Sequence, residues 1–230
     1  MKILDGFDQG SIEWANARCG RITMSHAKEL LTGGKGKTRE GYLLDVVAER
    51  LSGQPIDGYY GLDMQRGNFL EDYAAQAVST HLGTEIQKVS FVLHDSEQIG
   101  CSPDGLVEGG AGVELKCPKP RQHLKNITGN GFKDYLQQVQ GGMWICERDS
   151  WVLASFCPWV SDCPLYIEII GRDEEMIGRL EESALDGIRF IDERVSLLKE
   201  SPPNPRVTEI AVAARSEWEA ATNELSDVIV

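Results

Sequence analysis

An α/β (α+β) fold, with a central mixed β-sheet flanked by α-helices, is the architecture that this 230-residue sequence predicts. Three observations predict it. Residues 39–52 and 63–82 carry apolar side chains at helical spacing, and each stretch stops at a glycine, Gly53 or Gly83. From Val89 the period changes to alternation, with short apolar runs following at 99–107 and 112–116. Helix and strand patterns then alternate once more before a helical stretch over 173–199.

Taken in order, residues 10–31 read as two helical pieces broken around Cys19-Gly20-Arg21, with Ser25 as the cap of the second. TGGKGKT at 32–38 is a glycine- and lysine-rich loop without the GxxxxGK[ST] spacing of a P-loop. Leu43, Val46, Val47 and Leu51 form the stripe of the next helix. Val89, Phe91 and Leu93 begin a three-strand meander whose last two runs are joined by the turn EGGAG. A helix follows at 132–147 and strands at 150–157 and 165–170. Met176, Leu180, Ala184, Ile188, Ile191 and Val195 line one side of the long helix over 173–199, and the prolines of SPPNP end it. Residues 1–200 thus read as one domain, and 201–230 as a Pro-rich break with a C-terminal amphipathic helix. Ile210, Ala214, Trp218, Ala221 and Leu225 form its stripe, predicted to pack on the parent subunit.

Composition narrows the function classes. The chain is 41% hydrophobic and 26% charged, the balance of a folded globular protein. No stretch has the roughly 18 apolar residues of a membrane span, and acids enter MKILDGFDQG too early for a secretory signal. Cys19, Cys101, Cys117, Cys146, Cys157 and Cys163 form no CxxC pair and read as reduced thiols in a cytoplasm. The net charge of −13 disfavours a protein that coats nucleic acid. Two basic islands stand against it. Lys116, Lys119, Arg121, Lys125 and Lys133 occur with no acid among them, and Lys28, Lys35, Lys37 and Arg39 with Glu29 alone. The islands carry +5 and +3, leaving −21 on the rest of the chain.

CSPDGLVEGGAGVELKCPKPR, residues 101–121, is the segment with chemistry in it. Glu114 and Lys116 are two apart on a strand and share a face, and the hairpin brings Asp104 to that face. Two carboxylates beside a lysine suit metal-assisted phosphodiester hydrolysis. The carboxylates and the Leu115 carbonyl are hard oxygen ligands, and the lysine orients or deprotonates water and balances negative charge. The basic island begins inside this motif, where a DNA backbone would pass. His26, His81, His94 and His123 have no ligand spacing, and Trp144, Trp151 and Trp159 are expected in the core.

These residues resemble the PD-(D/E)xK nucleases, and within them the phage lambda exonuclease family of recombination exonucleases. Besides CSPDG (101–105) and ELKCP (114–118), the resemblance takes in Trp14, Arg18, Gly20, Ile22, Thr23 and Ser25. It also includes GNFLE (67–71), GF (131–132), YLQQVQGGMW (135–144) and IEIIGRDEE (167–175), so it covers roughly residues 10–200. The resemblance implies a restriction-endonuclease-like sheet and a 5′-to-3′ exonuclease acting on double-stranded DNA with 5′-phosphorylated ends. It implies release of mononucleotides and a 3′ overhang for homologous recombination. Asp104, Glu114, the Leu115 carbonyl and Glu71 would hold Mg²⁺ (or Mn²⁺), two ions per site, and Lys116 would serve the attacking water. Gln138 would be the active-site glutamine in preference to Gln140. Arg18, Ser25, Ser102 and Arg121 would line the 5′-phosphate pocket, with Lys119 a further DNA contact, although the segment before Arg121 is one residue shorter than in the family. The implied partners are duplex DNA, two further copies in a homotrimeric ring and a single-strand annealing protein, in the cytoplasm of a phage-infected or prophage-bearing bacterium. In that setting the C-terminal stripe has a second use, docking on a neighbouring subunit or on the annealing protein.

Three competing readings make different predictions. Another PD-(D/E)xK enzyme, an endonuclease, would cut closed circular DNA. A catalytically silent DNA-end-binding module sits poorly with an intact Asp104, Glu114 and Lys116. An interaction protein with an acidic partner would bind without metal.

Overall fold

The strands sort into two mixed sheets rather than one. A computed structural model describes residues 1–32, 37–56, 62–129, 131–200 and 203–226. The smaller sheet has the order β1 (Lys2–Leu4), β4 (Phe91–Leu93), β5 (Ile99–Cys101), β2 (Ile22–Thr23). The larger has the order β3 (Ile86–Gln87), β6 (Gly105–Val107), β7 (Gly112–Lys116), β8 (Ser150–Phe156), β9 (Leu165–Gly171). Pairing is antiparallel except between β2 and β5 and between β7 and β8. The expected meander therefore breaks inside its middle run: β5 ends in one sheet and β6 starts in the other. Pro103 lies in the gap, and with no N–H and a fixed φ it cannot extend a ladder. Ser102 and Asp104 are left at the junction of the sheets.

The early helices differ from expectation in their connection. α1 (Ile12–Arg18) ends before Gly20, which has φ +72°, and β2 follows directly. A 3-10 turn at Met24–His26 then leads into α2 (Ala27–Leu31). Ser25 sits inside that turn and caps nothing. Its hydroxyl is engaged by Arg18 and Thr23 instead. Residues 33–36 of the predicted loop lie outside the described residues.

α3 (Lys37–Ser52) buries Leu43, Val46 and Val47 and stops at Gly53. Leu51 is left largely exposed. α4 (Leu62–Leu82) buries Leu70, Ala74 and Val78 at spacings of four, and the last two pack on Val113, Leu115, Val152 and Ala154 of β7 and β8. That contact seats α4 on the large sheet and brings Glu71, one residue after Leu70, to β7.

The basic island folds into α5 (Pro120–Ile127), a helix that the sequence pattern does not reveal. Pro120 opens it, where a missing N–H is harmless. Its buried face is polar: His123 Nδ1 lies 2.8 Å from Ser155 Oγ, and Asn126 Nδ2 donates to the same oxygen at 2.9 Å. A 3-10 turn over Phe132–Tyr135 precedes α6 (Leu136–Ile145). A Cβ on Gly141 would lie 2.4 Å from Met24 Sδ, and one on Gly142 would lie 2.6 Å from Trp151 Cη2. The paired glycines thus allow the close approach that fixes α6, and Gln138 with it, over β7.

α7 (Glu174–Glu200) buries Ile177, Leu180, Ala184, Ile188 and Ile191, with Met176 and Val195 only half-buried at the edge of the stripe. The chain divides into two compact units, Met1–Asp192 and Glu193–Val230. The second holds the end of α7 and α8 (Pro205–Ser226), on which Ile210 and Trp218 are exposed. Trp151 is buried and Trp144 half-buried, but Trp159 is 61% exposed. It occupies the β8–β9 connection, and connections run over the surface. Among the described residues no helix is long and apolar enough to cross a membrane.

Candidate active site

Strand geometry assembles one part of the site. Glu114 and Lys116 face the same side of β7, and Lys116 Nζ donates to Glu114 Oε1 at 2.5 Å. The same oxygen accepts from Gln138 Nε2 at 2.7 Å. Gln140, two residues on, is spent elsewhere: it donates to Gly171 O and accepts from the Asp173 N–H. Asp104 Oδ2 accepts from the Leu115 N–H at 2.5 Å. Because the N–H and C=O of one strand residue leave by the same edge, the Leu115 carbonyl faces the Asp104 side. Lys116 Nζ also lies 4.8 Å from the Tyr135 ring centroid.

The electrostatics are those of a carboxylate cluster short of positive charge. Burial, then the charge of Glu114, pushes the Asp104 carboxyl well above the usual carboxylate range, against the pull of Lys116. Glu71 is raised too, chiefly by burial, with Asp72 and Glu114 adding to it. For Lys116 burial acts downward, but Glu114 and Asp104 outweigh it and hold the ammonium above the ordinary lysine value.

Among the described residues no group of three or more His, Cys, Asp and Glu side chains is gathered to hold a metal by itself. Two carboxylates plus a backbone carbonyl form the nearer donor set, all hard oxygen, with mutual repulsion that a divalent cation would relieve. The residues fit Mg²⁺ or Mn²⁺.

A stability test follows from Asp104. Its folded-state pKa is raised, so stability is intact below the unfolded carboxyl pKa and declines as pH climbs towards the folded value. Asp104→Asn keeps an acceptor for Leu115 and removes the charge. We expect a gain of about 1 kcal/mol at neutral pH in EDTA, disappearing at acid pH, measured by thermal melts. Mg²⁺ should raise the Tm of the unmodified protein and leave that of Asp104→Asn nearly unchanged.

The other part of the site is cationic. Arg18 Nη2 donates to Ser25 Oγ at 3.0 Å and Nη1 to Ser102 Oγ at 3.2 Å. The guanidinium lies 4.1 Å from the Trp14 ring centroid. One cavity of about 560 Å³ is lined by Arg18, Ser25 and Ser102 together with Glu71, Asp104, Glu114 and Gln138. A second, of about 460 Å³, reaches Glu71 and Asp104 from the side of Asp72 and Lys88, which are ion-paired.

Arg121 and Lys119 do not join this cavity. Both are exposed at the start of α5, because the helix turns His123 and Asn126 inward to Ser155. Pattern reading passed over Gln9, which ties the sheet junction by donating to Val89 O at 3.1 Å and Pro103 O at 2.8 Å. It also passed over Tyr42, whose hydroxyl accepts from the Thr23 N–H. Gln9 belongs to no periodic stripe, and Tyr42 lies on the buried stripe of α3, four before Val46, where periodicity marks it as core and not as a partner of Thr23.

Comparison with known proteins places the fold. An alkaline exonuclease from Laribacter hongkongensis, LHK-Exo, superposes with a TM-score of 0.76 at 27% identity, over 83% of this chain and 97% of that one. Its complex with dAMP gives 0.77 at the same identity and coverage. A phage-related exonuclease from Haemophilus somnus 129PT shares the fold, with a TM-score of 0.66 at 18% identity over 79% and 98% of the two chains. The Escherichia coli (strain K12) protein ExoD is 29% identical over 62 residues, 27% of this chain and 71% of that one. The family described as "YqaJ-like viral recombinase domain" matches residues 13–149, a span that contains Arg18, Glu71, Asp104, Glu114, Lys116 and Gln138. With more than half its length inside that match, this chain belongs to the YqaJ-like viral recombinase family.

Proposed function

We propose that this protein is a Mg²⁺-dependent exonuclease that degrades one strand of duplex DNA from a 5′-phosphorylated end, releases mononucleotides and leaves a 3′ overhang for strand annealing. Family membership and the 27% identity to an alkaline exonuclease support a DNA exonuclease. That relative's complex with dAMP agrees with a mononucleotide product. The observation that carries the polarity is the shared cavity: anion-binding residues and carboxylates line one space of about 560 Å³. Such a volume is in the range of small-ligand sites, so it suits a terminal nucleotide.

In this reading Arg18 and the hydroxyls of Ser25 and Ser102 hold the terminal phosphate by charge-assisted hydrogen bonds. That grip sets the scissile phosphodiester opposite Asp104 and Glu114. Held by Asp104, Glu114, the Leu115 carbonyl and Glu71, Mg²⁺ would supply Lewis acidity and lower the pKa of bound water. Lys116, kept protonated by its carboxylate neighbours, orients water and offsets charge on the phosphate. Gln138 fixes the Glu114 carboxylate through its amide. The duplex would run along the exposed cations Lys119, just before α5, Arg121 and Lys125 on it, and nearby Lys133. A ring of three subunits around DNA, acidic outside and basic within, reconciles those cations with the net charge of −13.

Digestion of linear duplexes that differ only in 5′-phosphorylation, beside a covalently closed circle, with and without Mg²⁺, tests the reading. Phosphorylated ends should be degraded to mononucleotides only with the metal, hydroxyl ends much more slowly, and circles not at all. Cleavage of the circle would establish an endonuclease instead.

A further inference from the structure

None of the seven residues of α1 is fully buried, and Trp14, Ala15, Ala17 and Arg18 are half-buried. The helix places Trp14 and Arg18, four apart and hence on one helical face, against the cavity. Trp14 makes two contacts there. Its ring lies against the Arg18 guanidinium, and its indole Nε1 donates to Ser102 Oγ at 2.9 Å. Arg18 Nη1 donates to the same oxygen. A hydroxyl oxygen has two acceptor positions and one hydrogen. With both acceptor positions filled from Trp14 and Arg18, the Ser102 hydrogen is left to be given to something else, and Ser102 lines the cavity. The Trp14 N–H thereby makes Ser102 a donor, as a phosphate oxygen requires. The Trp14 ring meanwhile lies beneath the guanidinium carbon, 4.1 Å from it, and so backs one side of the Arg18 head group.

From this geometry we propose that Trp14 is the positioning residue of the anion pocket. It backs the head group of Arg18 and sets the donor role of Ser102, and so sets the preference for a phosphorylated 5′ end. The inference rests on the 5′-phosphate reading above and goes beyond it in giving the selection to a residue that need not touch the phosphate.

Trp14→Phe keeps an aromatic face for Arg18 and deletes the N–H; Trp14→Leu deletes both. The readout is the ratio of kcat/KM on 5′-phosphorylated and 5′-hydroxyl duplex ends, which a loss of folded enzyme alone does not change. Trp14→Phe should lower that ratio about three- to tenfold, the scale of one hydrogen bond, mainly through KM. Trp14→Leu should approach Arg18→Ala. In a Trp14→Phe background, Ser102→Ala should cost little more, because the hydroxyl has already lost its fixed role. An unchanged ratio in Trp14→Phe, or full additivity with Ser102→Ala, would overturn the assignment to Trp14. An unmodified enzyme indifferent to 5′-phosphorylation would remove the phosphate pocket itself, and Trp14's role with it, so the two failures are distinct. If Trp14→Leu does not fold, Trp14→Phe and the double variant still decide.

Discussion

Asp104→Asn and Lys116→Ala are each expected to reduce hydrolysis of a phosphorylated linear duplex by about a thousandfold or more, the scale for loss of a group that stabilises charge in the transition state. What makes the pair informative is that their stabilities should move in opposite directions. Asp104 is costly to the fold, since burial and Glu114 hold its carboxyl well above the normal range. Neutralising it relieves that cost. Lys116 is the cationic partner of Glu114, which is only 4% exposed. Its removal leaves that carboxylate with Gln138 as its remaining side-chain donor, at a cost of about 1–3 kcal/mol. From the sequence both side chains are expected on a solvated face, where neither change would disturb the fold. The burial of Glu114 corrects that for Lys116. A single-turnover assay with thermal melts of both variants decides: near-normal cleavage by either would remove that residue from the catalytic centre.

The second large effect should come from Arg18→Ala. Loss of a charged hydrogen bond to phosphate costs about 1.5–3 kcal/mol, roughly ten- to a hundredfold. The loss should fall on 5′-phosphorylated ends, narrowing their advantage over 5′-hydroxyl ends, whereas Lys116→Ala should stop both. Equal slowing on both ends would make Arg18 a general DNA contact. The exposed cations on and just before α5 offer the contrast: Lys119→Ala and Lys125→Ala should weaken binding to both ends alike and flatten its salt dependence.

Some features of this protein are decided within a few residues of chain. α3 and α4 are legible because a buried helical face repeats every three to four residues and a left-handed glycine, Gly53 or Gly83, ends each. The hairpin of Asp104, Glu114 and Lys116 is legible because strand geometry alone puts Glu114 and Lys116 on one face. Family resemblance then brings in Arg18, Ser25 and Ser102, which no local pattern connects, and the structure joins them by hydrogen bonds.

Other features depend on contacts between distant segments. β2 is two residues long and exists only by pairing with Ile99 and Gly100, far along the chain. α5 has no apolar stripe; its face is fixed by His123 and Asn126 meeting Ser155, about thirty residues away. Ser25 resembles a helix cap until Arg18 and Thr23 claim its hydroxyl. The step between sheets at Ser102–Asp104 is held by Gln9, more than ninety residues earlier. Periodicity records which face of an element is buried, so the sequence alone determined α3, α4 and α7 and placed Glu114 and Lys116 on one face of a strand. Which distant polar groups meet is not periodic, so only the tertiary structure decided that Arg18, Ser25 and Ser102 open into one cavity with Glu71, Asp104 and Glu114.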